Sequence, residues 1–379
     1  MKICFVSPDA YSLLDPRTHY IFGGAEIRAF TLARALKEKY HLEISFMVKK
    51  HLLNKKKTFF GMDVYEHDVL RGEGFWIKEK SLGERVKKKM KNFNLINGKK
   101  KNVFRSTGAE IFVAFGFSDM GLEAFNYCKA NNKKFIFSLA TDAEVERPEE
   151  IAEGKFLPLL KNSDFLICQT QLQQKKLQEK FSATSWLMPN PLNLNMRVHK
   201  KITQIYDALW IGKTSKAKCP ERFLELVKKF PQKKFAMILN VTDENYFKKY
   251  FSSTYQNLEL IKHVPFQEVE SYFENSNILV NTSRVEGFAN AFLQAAKYGK
   301  PVLSFEVDSG TIFSEYHCGI CAKGNENEFY SSFDNLFNDK RLYTKISEAA
   351  QAYVNQFHSD TLVAKQFYEC VLQKTTANV

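Results

Sequence analysis

Ser283-Arg284-Val285-Glu286-Gly287-Phe288-Ala289-Asn290 stands between a short apolar run, Ile278–Asn281, and a helical pattern that Gly299 closes before Pro301 opens the next run. A strand that feeds a glycine-bearing loop and then a helix leaves backbone N–H groups free at the helix start. A phosphate placed there gains hydrogen bonds and the favourable end of the helix dipole. Glu286 would stand beside it as an acceptor for hydroxyl groups. A second turn of this kind is Gly23-Gly24, ahead of Ala25-Glu26 and the amphipathic stretch Ile27–Lys37. It reads equally as a phosphate turn and as a plain turn before a helix that Glu26 caps. Thr141-Asp142-Ala143-Glu144 follows the run Lys134–Ser138. Asp142 there either orients a hydroxyl and takes its proton or caps a helix start. Two carboxylates without further ligands do not make a metal site. His317-Cys318-Gly319-Ile320-Cys321 has no second cysteine pair and reads as ordinary thiols.

Short apolar runs alternate with longer amphipathic stretches, the pattern of strand-helix-strand units around parallel sheets. In the first half the predicted strands are Lys2–Ser7, Leu42–Val48, Ile111–Phe115, Lys134–Ser138 and Phe165–Gln169. Pro189-Asn190-Pro191 can continue neither a helix nor a central strand, so a linker is expected over 189–205. Alternation then restarts with strands Asp207–Ile211, Lys234–Leu239, Leu258–Ile261, Ile278–Asn281 and Pro301–Phe305. The expected fold is α/β, with two Rossmann-like doubly wound domains, 1–188 and 206–358, facing a central cleft. Residues 359–379 are expected to form a closing helix that packs back toward the first domain, and ligands are expected at the carboxyl ends of the strands.

Glu286-Gly287-Phe288 with Gly299-Lys300-Pro301 resembles the donor-binding segment of the family 4 retaining glycosyltransferases of GT-B fold, within the group 1 glycosyl transferases. Phe22-Gly23-Gly24-Ala25-Glu26 resembles that family's glycine-rich turn, and Trp210-Ile211-Gly212-Lys213 with Lys218 resembles its Gly-Arg-then-Lys signature. Ile167-Cys168-Gln169-Thr170 and Pro189-Asn190-Pro191 resemble the end of its first domain and the linker. The resemblance implies transfer of a sugar from a UDP- or GDP-linked donor with retained configuration, without metal or other cofactor. It implies a donor site of Gly23, Gly24, Gly212, Lys213, Lys218, Val264, Glu286, Gly287, Phe288, Ala289, Asn290 and Gln294. Glu286, Lys213, Lys218 and Asp142 are then the catalytic candidates, the lysines acting on the charge of a departing diphosphate. Two positions depart from the family pattern. Its second glutamate is Gln294, a neutral acceptor, and its arginine is Lys213, a point charge in place of a planar fork.

The chain of 379 residues has a net charge of +13, with 44% hydrophobic residues. Nine basic residues and no acidic one lie between Arg85 and Arg105, which leaves +4 for the rest of the chain. If Glu84–Asn94 is helical, Val86, Met90 and Phe93 share a face ringed by Arg85, Lys88, Lys89 and Lys91. This interfacial pattern would dock on an anionic membrane, each lysine contributing about 1 kcal/mol; a solvated helix with a flexible loop is the alternative. The expected contacts are Arg85, Lys88, Lys89, Met90 and Phe93. No stacking aromatics or reader motif accompany the lysines, so nucleic acid is not expected as a partner. No apolar run approaches the roughly 18 residues of a membrane span, and seven cysteines in apolar contexts fit a reducing cytoplasm. The expected setting is the cytoplasm, peripheral on the inner membrane face, with a glycan or lipid-linked acceptor of surface polysaccharide synthesis. A catalytically weak GT-B relative serving a membrane assembly is the alternative, suggested by Gln294 and Lys213. Under the transferase reading, a nucleoside diphosphate raises the melting temperature, and Glu286→Ala or Lys218→Ala abolishes the shift.

Overall fold

The apolar runs become the central strands of two sheets in the computed structural model, which describes residues 1–18, 20–49, 57–67, 103–195 and 205–372. The first sheet comprises β1 (Lys2–Val6), β2 (Glu43–Lys49), β3 (Lys57–Phe59), β4 (Met62–His67), β5 (Ile111–Phe115), β6 (Lys134–Ser138), β7 (Phe165–Cys168) and β8 (Trp186–Leu187). Its order is β3-β4-β2-β1-β5-β6-β7-β8, parallel except for β3 with β4. The second comprises β9 (Tyr206–Lys213), β10 (Phe235–Asn240), β11 (Leu258–Ile261), β12 (Ser276–Asn281), β13 (Val302–Ser304) and β14 (Gly319–Cys321). Its order is β11-β10-β9-β12-β13-β14, parallel throughout.

Helices cover both faces of each sheet, which is why the inner strands read as unbroken apolar runs instead of alternating ones. Along β1, Ile3 and Phe5 pack toward the helix Gly24–Tyr40, while Cys4 and Val6 face the helix Asp119–Ala130. The second sheet divides likewise, with Leu209 on one face and Ala208 and Trp210 on the other. Strand order reverses between β1 and β5 and again between β9 and β12, and such switch points open a crevice outside the carboxyl ends of the strands. The edge strands β3, β8 and β14, and β4 beside β3, are not evident in the sequence, because short or half-buried strands carry too little pattern.

The chain passes between the domains twice, at Met188–Asn193 and at His358–Asp360. The passes are tied by Leu192 N–H to the His358 carbonyl at 2.7 Å and by Asp360 N–H to the Leu192 carbonyl at 3.0 Å. Beyond them the helix Asp360–Phe367 lies on the helix Gly24–Tyr40, with Val363, Ala364 and Phe367 in the first domain's core and Tyr368 stacked on Tyr40 at 4.1 Å. Arg85, Lys88, Lys89, Met90 and Phe93, the helix expected over Glu84–Asn94, and linker residues 196–204 lie outside the described residues. Among the described residues no helix is long and apolar enough to cross a membrane.

His358, at the start of the second pass, is 2% exposed, with Nδ1 2.8 Å from the Asn190 carbonyl of the first pass and the ring against Phe288 and Tyr353. Nε2 is buried with no partner. Burial pushes its pKa down to about 4 from 6.5, only partly opposed by the Asn190 carbonyl. The native imidazole therefore stays neutral where the unfolded one charges, so stability falls as pH drops from 6.5 toward 4. The full effect is about 3 kcal/mol. Melting temperature measured across that range should fall less steeply for His358→Gln than for the wild-type chain; equal slopes would remove His358 as the cause.

Candidate active site

The glycine turn after β1 faces the second domain. Gly23 N–H donates to the Glu26 carboxylate at 2.8 Å, so Glu26 caps its own helix and takes that N–H away from a ligand. The Gly24 carbonyl accepts from Asn290 Nδ2 at 2.9 Å, and Asn290 Oδ1 accepts from Asn190 Nδ2 at 2.8 Å. The Asn290 side chain thereby clamps the turn, the linker and the helix Asn290–Lys297. Lys213, at the end of β9, brings Nζ within 3.5 Å of where a Gly23 Cβ would stand. Burial raises the Glu26 pKa and Asp9 adds to the rise, while the Lys213 ammonium opposes it. Two segments far apart in sequence thus place an ammonium group against a helix start.

Lys218 and Glu286 form an ion pair across the second switch point, one on the loop after β9 and the other on the loop after β12. The loops are stitched together beneath it. Trp210 Nε1–H donates to Thr282 Oγ1 at 2.8 Å, Thr282 Oγ1–H to the Lys218 carbonyl at 2.8 Å, and Arg284 N–H to the Ala217 carbonyl at 2.8 Å. Gly212 leaves room for the Trp210 ring, which a Cβ there would meet at 2.6 Å. Each charge neutralises the other.

On the first-domain side, Asp142 occupies the cap position of the short helix Ala143–Glu146 but makes no capping bond; it accepts from Gln173 Nε2 at 2.8 Å. The capping role is therefore unfilled, because Gln173, on a different helix, captures the carboxylate. Burial pushes the Asp142 pKa up to about 6, helped by the negative charges of Glu146 and Glu286 and opposed by the Gln173 bond and Lys176. A carboxyl of that pKa can exchange a proton near neutral pH.

Two residues to which the sequence gives no site role hold this loop. Glu144, 5% exposed, accepts from the N–H groups of Phe117 at 2.8 Å and Ala140 at 2.7 Å. Arg28, 4% exposed, donates to the Leu139 carbonyl at 2.7 Å and to Ser138 Oγ at 2.8 Å. Arg28 lies four residues before Leu32 on the apolar face of its helix, and a charged residue on such a face is the signal that could have found it.

Phe288 and Ala289 are buried at the entry of the helix Asn290–Lys297, and Val264 is buried between β11 and the helix Phe266–Glu274. Gln294 is 6% exposed and turns its Nε2 toward Glu270 at 3.4 Å. Gly287 meets the first domain so closely that a Cβ there would lie 2.5 Å from the Ala140 carbonyl oxygen. Among the described residues no three His, Cys, Asp or Glu side chains are grouped so as to hold a metal ion, and all seven cysteines are free thiols.

Residues 194–353, which carry Lys213, Lys218, Glu286 and Gln294, match the family model of glycosyl transferases group 1. An uncharacterized glycosyltransferase of Haemophilus influenzae is 20% identical over 219 residues, 55% of this chain and 62% of that protein. The chain spans less than two thirds of the length of the curated relatives it matches, 33% and 62%. Sucrose-phosphate synthase of Thermosynechococcus elongatus shares the fold with a TM-score of 0.74 at 15% identity, over 100% of both chains. HepE of Anabaena, solved in complex with UDP and glucose, does so with a TM-score of 0.69 at 13% identity, over 98% of this chain and 100% of that one. The chain thus has the GT-B fold, and its second domain, over residues 194–353, is similar to the glycosyl transferases group 1.

Proposed function

We propose that the chain is a retaining glycosyltransferase that moves a sugar from a UDP- or GDP-linked donor to a glycan or lipid-linked acceptor. The observation that carries this reading is the approach of Lys213 and Asn290 to the glycine turn of the opposite domain, together with the Lys218–Glu286 ion pair at the second sheet's switch point, where open α/β sheets bind ligands. Donor cleavage leaves negative charge on the diphosphate, and fixed cations with a helix N-terminus stabilise it. Glu286, released when a diphosphate takes Lys218, would accept sugar hydroxyls. Asp142 stands on the acceptor side, where it can orient the incoming hydroxyl. HepE, which shares the fold, was solved with UDP and glucose, in keeping with a nucleotide donor here. The basic segment of the first domain supports an acceptor met at an anionic inner membrane face, with the protein in the cytoplasm.

A thermal-shift panel of UDP, GDP and ADP tests the reading. A ligand at a hundred times its Kd adds about 2.7 kcal/mol to the native state, enough for a clear shift at millimolar nucleotide. At least one of the three should raise the melting temperature, and the corresponding sugar nucleotides should be hydrolysed slowly without acceptor. No shift with any of them would overturn it.

A further inference from the structure

Glu270 and Gln294 belong to one buried polar cluster between two helices of the second domain. Glu270, on Phe266–Glu274, is 2% exposed. One of its carboxylate oxygens accepts from Lys297 Nζ at 2.8 Å and from the Tyr298 hydroxyl at 2.7 Å, while the other faces Gln294 Nε2 at 3.4 Å. Lys297 is itself 8% exposed in this ion pair. Burial raises the Tyr298 pKa, and the Glu270 charge raises it further, so the hydroxyl stays a donor. Glu270 and Gln294 also border an interdomain cavity with Asn290 and Leu293, closed from the first domain by Phe30 and Arg34.

A carboxylate only accepts, so Gln294 can face Glu270 only through its NH2 group. Its carbonyl oxygen is thereby turned away from Glu270. A glutamate at 294 would bring a second buried carboxylate against the first, with Lys297 already bound to Glu270. Arg34, the other cation at the cavity, is engaged by Glu38 at 2.8 Å. Like charges buried together cost more than the pair gains.

We propose that Glu270 is a positioning residue of the nucleoside subsite: it fixes Gln294 as a neutral acceptor, carbonyl oxygen outward, for a hydroxyl of the ligand's ribose. It also makes glutamine, in place of the glutamate of the family motif, the residue that this chain requires at 294. The inference rests on the nucleotide-sugar reading above. It predicts that Gln294→Glu weakens donor binding.

The test is a double-mutant cycle on the full chain, read by titration with UDP or GDP, whichever binds the wild type, and by melting without ligand. Gln294→Glu should weaken nucleotide binding at least about tenfold and lower the ligand-free melting temperature. The exchanged pair, Glu270→Gln with Gln294→Glu, restores one carboxylate facing one amide and should recover most of both losses. Such rescue is not expected if Glu270 serves only to pack its helix. A Gln294→Glu variant that binds as tightly as the wild type, or an exchanged pair no better than Gln294→Glu alone, overturns the proposal. Failure of the nucleotide reading shows differently, as a wild-type chain that binds neither nucleotide, and it removes the subsite with it.

Discussion

Lys218→Ala is expected to remove the nucleoside diphosphate's effect on melting and to lower sugar transfer about 10²- to 10³-fold, the usual loss for one preorganised group acting on developing charge. Glu286→Ala is expected to keep the nucleotide shift while losing transfer to a comparable extent. The difference follows from the ion pair. Glu286 is the partner that holds Lys218 before ligand arrives; their side chains are 12% and 30% exposed, sheltered enough for the charges to interact strongly. A diphosphate offers more negative charge and more acceptor oxygens than one carboxylate, so it takes Lys218 over. Removing Glu286 removes a competitor for that lysine, so binding of the diphosphate survives; what is lost is the acceptor for the sugar hydroxyls. Sequence reasoning treats the two residues as independent contacts and predicts that either substitution abolishes the shift. Calorimetric titration of UDP or GDP into both variants decides the matter. Equal loss of binding in the two would mean that no such exchange of partners takes place.

The strand runs and the Glu286 loop are legible in the sequence because each is local. β1 and β5 are buried on both faces and read as unbroken apolar runs, and the loop between β12 and its helix carries glycine, glutamate and a helix start within eight residues, 283–290. What is not legible depends on partners far along the chain. Arg28 bonds to residues 138 and 139, Glu144 to residue 117, and Asn290 to residues 24 and 190. No local pattern encodes such meetings. Asp142 shows the limit from the other side. Its sequence context suits a helix cap, yet Gln173 from a separate helix takes the carboxylate, and a distant partner overrides a local preference. Gln294 read alone is a weakened motif, whereas beside Glu270 and Lys297 it is the residue type that the cluster can accept.

Gly287→Ala is expected to cut turnover at least about 10²-fold while leaving the melting temperature close to that of the wild type. The glycine is required by space alone: a Cβ there would lie 2.5 Å from the Ala140 carbonyl oxygen and 3.0 Å from Thr141 Cα, both backbone atoms of the opposite domain. Neither can give way cheaply, because Glu144 accepts the Ala140 N–H at 2.7 Å and Arg28 holds the Leu139 carbonyl at 2.7 Å. The strain is relieved by parting the domains about the passes at Leu192 and His358, and cores on either side remain intact. A gap of about 1 Å between reacting groups is enough to cost 10²-fold in rate. Lys213, Lys218 and Glu286 all lie on the second domain, so nucleotide should bind with little loss, whereas Asp142 and the glycine turn recede from it. Turnover and nucleotide affinity measured on the same preparation separate these effects. Wild-type turnover in Gly287→Ala would show that contact between Gly287 and Ala140 is not needed for transfer, and that the cleft works without closing at this point.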